Sequence, residues 1–396
     1  MRKFWIISLI ALLGLLLLSG CAKRKNPLIS PPEKGSYRTF LAAPLGYTFT
    51  ALAGNKLGIT DASGKRTIHA YLPPGHPAVT GASSRQRYPA LYLLADFNEN
   101  SEQFGQFYQL PSLADQLIAA GLMDSLIIFV ISGDMQAAFK DLGGTFYGNN
   151  FLVGDWPKFI AEQLIPQLDT YYIQLNIDPT RRAIAGLGMG GYGALRIALQ
   201  YDTMFDVVGA MSAPLAFGGT DPAGWLTSFL MPEVLGENGN SYANIQVAAP
   251  FDASKPVSSW MFAMATAFSA RTDTTDKSGV TYQDIPGTNY GVDIPFDDNS
   301  VLVPFVVTEW MDRDIENLLN STYAGALSGK KVYLDCGDAD EFDFDAMNRR
   351  FDSFLTTKSV THVYHEYSGY PGHDAAHGDF TYDRLKELFE YISANM

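Results

Sequence analysis

The stretch AIAGLGMGGYGALRIAL, Ala183 to Leu199, constrains the fold of this chain more than any other. An apolar run passes through clustered glycines into a helical pattern, so it reads as strand, tight turn, helix. Two chemistries use such a turn. Gly186, Gly188 and Gly191 match the G-x-G-x-x-G spacing of a dinucleotide-binding loop. With serine in place of Gly188 the same residues would read G-x-S-x-G, the elbow that presents a serine nucleophile.

The order of elements separates the two. RTIHAYLPP (Arg66 to Pro74), PALYLLAD (Pro89 to Asp96) and SLIIFVISGD (Ser125 to Asp134) are expected strands. A helix is expected over Trp156 to Tyr171, where Phe159, Ile160, Leu164, Ile165 and Leu168 fall at helical spacing. RRAIAG, the glycine turn and a helix to Gln200 follow, then the strands FDVVGAMSA and KKVYLDCGD (Lys330 to Asp338), and a final helix over Tyr382 to Ser393. This alternation predicts a mostly parallel sheet with crossover helices. Ala216 to Ser328 breaks the rhythm and is read as an inserted cap or lid. A dinucleotide turn would follow the first strand, with an acid about 20 positions on at the end of the second. Here three strands precede the turn, and Asp206 stands before VVGAM, at the wrong end of that strand. Nucleotide binding is set aside, and no cofactor is expected.

Elbow-type hydrolases place nucleophile, acid and base in that order along the chain. Downstream of Gly188 the sequence offers Asp340 in LDCGDADEF, after a strand, and His373 in GYPGHDAAH, before the last helix. Asp338, Asp340, Glu341, Asp343 and Asp345 lack the D-x-[DN]-x-[DN]-G calcium pattern, so no metal site is expected. Ser132, Ser212 and Cys336 are read as structural.

With these residues in place, the chain resembles the esterase family of α/β-hydrolases that includes enterochelin esterases, formylglutathione hydrolases and mycolyltransferases. The matching segments are YLPPGH, YPALYLLADFNEN, FIAEQLIPQLDTYY, RAIAGLGMGGYGALRIAL, DIPFDDNSVLVPFVVTEWMDRD, VYLDCGDADEF and YPGHD, from about Arg66 to Tyr391. The resemblance implies an α/β-hydrolase fold: a mostly parallel central sheet, helices on both faces and an inserted cap. It places Gly188 at the nucleophile position, Asp340 as triad acid, His373 as base, and the Met189 backbone N–H in the oxyanion hole. The family's His-Gly after the second strand, beside the other oxyanion donor, is Ala95-Asp96 here, so Asp96 and Phe97 mark the altered oxyanion-hole region.

Both departures oppose ester hydrolysis. Glycine has no attacking atom, and losing a triad nucleophile costs on the order of 10⁴ to 10⁶ in kcat. A carboxylate at Asp96 is expected to oppose the oxyanion that such sites stabilise. The expectation is an esterase fold without serine-hydrolase chemistry, a binding or scaffold module with room for an apolar or acyl-ester ligand. The alternative is an active ester hydrolase or acyltransferase that uses His373 and Asp340 with water or another nucleophile.

The N-terminus sets the location. Arg2 and Lys3 precede the apolar run Phe4 to Leu18, which falls short of the roughly 20 residues a spanning helix needs. Leu18-Ser19-Gly20-Cys21 resembles a lipobox, so residues 1–20 read as a lipoprotein signal and Cys21 as the lipidated first residue. A tether follows to residue 36, and residues 37–396 form the esterase-like domain. Ala22 after Cys21 points to the outer rather than the inner membrane. Without Arg2 and Lys3 the 28 basic residues become 26 against 42 acidic, a net of −16, which argues against nucleic acid as a partner.

Overall fold

The computed structural model describes residues 36–42, 59, 66–81, 85–135, 144–171, 175–218, 224–245, 252–272, 282–285 and 290–396. The expected signal, Cys21 and the expected tether as far as residue 35 lie outside them, while Ser36, its expected last residue, opens the first strand.

Eight strands form the main sheet: β1 (Ser36–Ala42), β2 (Arg66–Leu72), β3 (Tyr88–Leu94), β4 (Ile127–Ile131), β5 (Ile177–Leu187), β6 (Val207–Met211), β7 (Lys331–Gly337) and β8 (Thr361–Tyr367). Their order across the sheet is β1-β2-β4-β3-β5-β6-β7-β8. β1 and β2 pair antiparallel, as do β2 and β4; every pair from β4 to β8 is parallel. All residues of β3, β4 and β6 are buried. Runs such as YPALYLL and IIFVI are the unbroken apolar type that a sheet covered on both faces requires. Alternate residues serve opposite faces. Tyr92, Leu94, Phe129 and Ile131 join one core cluster, while Leu91, Leu93, Ile128 and Val130 join the other.

The helices that matter for the site are α1 (Ser101–Phe107), α2 (Leu110–Ala119), α3 (Met189–Gln200), α4 (Pro256–Phe268), α5 (Pro304–Met311), α6 (Ile315–Asn320), α7 (Phe344–Thr357) and α8 (Thr381–Asn395). The expected helix over Trp156 to Tyr171 is present, with a π-helical stretch across Phe159–Leu164. α8 buries Leu385, Leu388, Phe389 and Ile392, a one-sided stripe at helical spacing. Between β6 and β7 the chain builds α4, α5, α6 and a small sheet in which Gly291–Asp293 pairs with Tyr282–Asp284 and Ala270–Arg271. The tryptophans of this segment are buried, Trp225, Trp260 and Trp310 among them.

α3 is the innermost helix. Every residue from Met189 to Leu199 is buried, and its first turns are rich in glycine because the sheet lies so close. A Cβ on Gly190 would stand 2.6 Å from the Leu94 carbonyl carbon and 2.8 Å from the Ala95 carbonyl oxygen. Only a residue without a side chain lets the helix start there.

Candidate active site

β5 ends at Leu187 and α3 begins at Met189, with Gly188 between them at φ +53° and ψ −115°. This is the sharp strand-to-helix bend expected from the sequence. Its backbone is fixed by Gly188 N–H donating to the Met211 carbonyl (2.7 Å) at the end of β6.

The chain leaving β3 brings Asp96 to the bend. Ala95 N–H donates to the Ile131 carbonyl (2.9 Å), which carries the strand pairing up to the carboxylate. Asp96 Oδ1 accepts from the backbone N–H of Met189 (2.8 Å) and of Phe97 (2.6 Å). A Cβ placed on Gly188 would lie 2.6 Å from Asp96 Cγ and 2.7 Å from Oδ2. The carboxylate therefore fills the space that a side chain at 188 would need. The sequence suggested that Asp96 would repel a developing oxyanion. In the structure it holds the two donors itself.

Asp96 Oδ2 lies 3.0 Å from His377 Nε2, and His377 Nδ1 lies 2.9 Å from Asp340 Oδ2. The other oxygen of Asp340 accepts from Phe342 N–H (2.9 Å). The imidazole is thus clamped between two carboxylates, with Asp96, His377 and Asp340 all buried. Rings close around it: the centroids of Phe342, Phe344 and Trp260 lie 5.2, 5.6 and 5.7 Å from that of His377. Trp260 of α4 also packs on Phe97, at 5.2 Å.

This corrects the sequence reading of the base. His373 is 42% exposed by side chain and packs on Tyr370 and Phe380. Its Nδ1 faces the Asp374 carbonyl (2.8 Å), and the carboxylate of Asp379 lies 3.6 Å away. The histidine on Asp340 is His377, four residues later. Both histidines stand in GHDAAHGDF between a strand and the last helix, and spacing alone could not choose between them. The usable signal was adjacency to α8. His377 is fixed by Arg384 of that helix, whose Nη1 donates to the His377 carbonyl (2.8 Å). Arg384 is fully buried, with Nε donating to Asp335 Oδ1 (3.0 Å) on β7 and Nη2 to Ser212 Oγ (2.8 Å). Ser212 therefore serves the frame. Cys336 is buried beside Asp340, and burial pushes its thiol far up, so it is not a thiolate nucleophile.

Electrostatics follow from this packing. Burial alone would lower the His377 imidazole, but Asp340 and Asp96 outweigh it and hold its pKa well above 6.5. Burial pushes the Asp340 carboxyl up, and His377 more than reverses that, leaving it below its usual value. Two carboxylates on one imidazole favour its protonated form, and a protonated imidazole has no lone pair to accept a proton from a nucleophile. Behind it Glu99, pushed up to about 7 by burial and by Asp96, accepts from the Tyr108 hydroxyl (2.8 Å). Among the described residues no cluster of three or more His, Cys, Asp and Glu side chains is arranged to hold a metal ion.

A parallel sheet with an elbow after β5, an acid after β7 and a histidine before α8 defines an α/β-hydrolase. Comparison with known proteins makes this specific. The chain belongs to the esterase family described as "putative esterase", which matches residues 60–382. An endo-1,4-beta-xylanase/feruloyl esterase of Xylanibacter ruminicola is 30% identical over 163 residues, 41% of this chain and 21% of that protein. The match thus spans about a fifth of that relative's length. A solved ferulic acid esterase shares the fold at 17% identity, covering 92% of this chain and 99% of its own, with a TM-score of 0.53. An S-formylglutathione hydrolase of Agrobacterium tumefaciens aligns at 13% identity over 93% and 97% of the two chains, also at 0.53.

Proposed function

We propose that this esterase-family domain performs no serine-hydrolase turnover and acts as a binding or scaffold module, carried on the cell envelope by lipid on Cys21. The observation that carries this reading is the Asp96 carboxylate. It fills the space of a side chain at 188, accepts both backbone N–H groups and occupies Nε2 of His377. Its two oxygens stand as those of a carboxylic acid product would, one in the amide cradle and one on the histidine. Such an internal product mimic excludes an ester carbonyl from the same donors. An apolar or aryl-ester ligand, the class suggested by the feruloyl esterases among the relatives, would bind outside this carboxylate. The envelope location is supported by the lipobox-like Leu18 to Cys21.

A second reading has its own observation. Asp340 and a buried histidine are both retained in contact, as an active hydrolase or acyltransferase would need, with Asp96 or a water attacking. Turnover of p-nitrophenyl acetate, p-nitrophenyl butyrate and methyl ferulate separates the two. The wild type is expected at background. Wild-type turnover that collapses in His377→Ala would establish the second reading and end the first.

A further inference from the structure

β8 closes the main sheet on one side and, among the described residues, pairs with β7 alone. Thr361, His365 and Glu366 are exposed and the rest of the strand is half-buried, in a sheet whose central strands are wholly buried. An open edge is a template for another strand, and proteins usually blunt it with lysine, proline or a bulge. β8 has none of these: it reads THVYHEY, and its register with β7 runs unbroken from Thr361 to Tyr367.

The backbone fixes which residues are free to pair. The Tyr367 carbonyl accepts from Asp338 N–H (2.8 Å), just beyond β7. Successive residues of a strand turn their N–H and C=O to opposite edges. Thr361, Val363, His365 and Tyr367 therefore face β7, and His362, Tyr364 and Glu366 face outwards. Two copies of β8 running antiparallel about Tyr364 bring all the outward groups together. Tyr364 meets its twin, and His362 meets Glu366 in both directions, each as a pair that exchanges two N–H···O=C bonds. A shift of two residues leaves His362 or Glu366 without a partner in β8, and a shift of four sets one of them against its own twin.

The side chains agree with that register. His362 and Glu366 lie on the α7 side, where His362 Nε2 is 3.0 Å from Asp352 Oδ1 and Glu366 Oε1 accepts from Arg349 Nη1 (3.0 Å). Pairing about Tyr364 sets a basic side chain against an acidic one at both ends and two aromatic rings at the centre, favourable cross-strand neighbours. This self-complementarity points to a second copy and not to an unrelated peptide.

We propose that the β8 edge is a contact between two copies of this chain, paired antiparallel about Tyr364 into one continuous sheet. The edge shares no residue with the Asp96–His377–Asp340 group, so the assignment stands whether or not the domain hydrolyses esters.

Two measurements on the detergent-solubilised full chain test this. Light scattering after size exclusion is expected to give the mass of two chains. Tyr364→Pro deletes an N–H that faces away from β7, which an edge strand tolerates, and should weaken the dimer by about tenfold or more. The second measurement reads the register. Tyr364→Cys places two Cα atoms about 5.5 Å apart, within disulfide reach, whereas Thr361→Cys leaves its twin roughly 20 Å away. Mild oxidation should cross-link the first variant and not the second, and this result carries the test if Tyr364→Pro does not fold. A mass of one chain at every concentration, or an unchanged mass in folded Tyr364→Pro, would overturn the assignment. So would Tyr364→Cys cross-linking no more than Thr361→Cys, or cross-linking to a different protein in host membranes.

Discussion

Gly188 and Asp96 form a matched pair in space. The backbone at 188 has a positive φ that costs a residue with a side chain about 1–3 kcal/mol and glycine little. The same absence of a Cβ makes room for the carboxylate. Gly188→Ser alone must therefore displace Asp96 from two N–H groups and His377, and it should destabilise the fold without creating activity. The ionic chain also sets a pH dependence. A base whose folded pKa is raised, as at His377, stabilises the fold fully below its unfolded value near 6.5 and loses that contribution as pH rises through the folded value. Glu99, raised from 4.5 to about 7, acts in the same direction, its contribution fading between those values. Asp340, lowered from 3.8, acts oppositely and loses its contribution as pH falls through its folded value. Stability by urea denaturation should peak in mildly acidic buffer and fall towards pH about 8. Glu99→Gln should flatten the part of that fall between about pH 5 and 7; an unchanged slope would contradict the buried, proton-binding Glu99.

At the scale of elements, what the sequence revealed tracks burial. β3, β4 and β6 were legible because strands buried on both faces need continuous apolar runs. The elbow was legible because its glycines answer a close approach and a positive φ. β8, THVYHEY, was not recognised. It is an edge strand whose residues are exposed or half-buried, so it carries no apolar signature. α7 escaped for a related reason: its polar residues outnumber the buried stripe of Phe344, Met347, Phe351 and Leu355. Asp340 was legible from its strand end, whereas the histidine it touches was expected four residues too early, because both histidines share one loop and the contact that separates them, His377 to Asp96, joins residues far apart in sequence. Gly190 offers a test of the α3 packing. Its missing side chain faces the Leu94 and Ala95 backbone, which cannot rotate away. Gly190→Ala should cost about 1–3 kcal/mol in urea denaturation, the usual penalty for overpacking a tight interior. No loss of stability would refute the close approach of α3 to β3.

For the whole molecule, family membership and activity separate. The sheet order, the elbow and the acid–histidine pair are those of a hydrolase, and fold alone does not carry function. What differs is local, two residues brought together from the ends of β3 and β5. The acidic balance and the lipobox-like N-terminus bear on location. Lipid on Cys21 should place the full chain in the membrane fraction of a bacterial expression host, and Cys21→Ser should move it to the soluble fraction; equal partition of the two would remove the anchor from the proposal.

The most direct measurement is covalent labelling by a fluorophosphonate probe across the wild type, Gly188→Ser, Asp96→Gly and the double variant. If Asp96 holds the nucleophile's place, neither the wild type nor either single variant labels. The double variant, with the serine oxygen restored and the two N–H groups and His377 released, becomes labelled. Full labelling of Gly188→Ser with Asp96 intact would show that the carboxylate does not block the site.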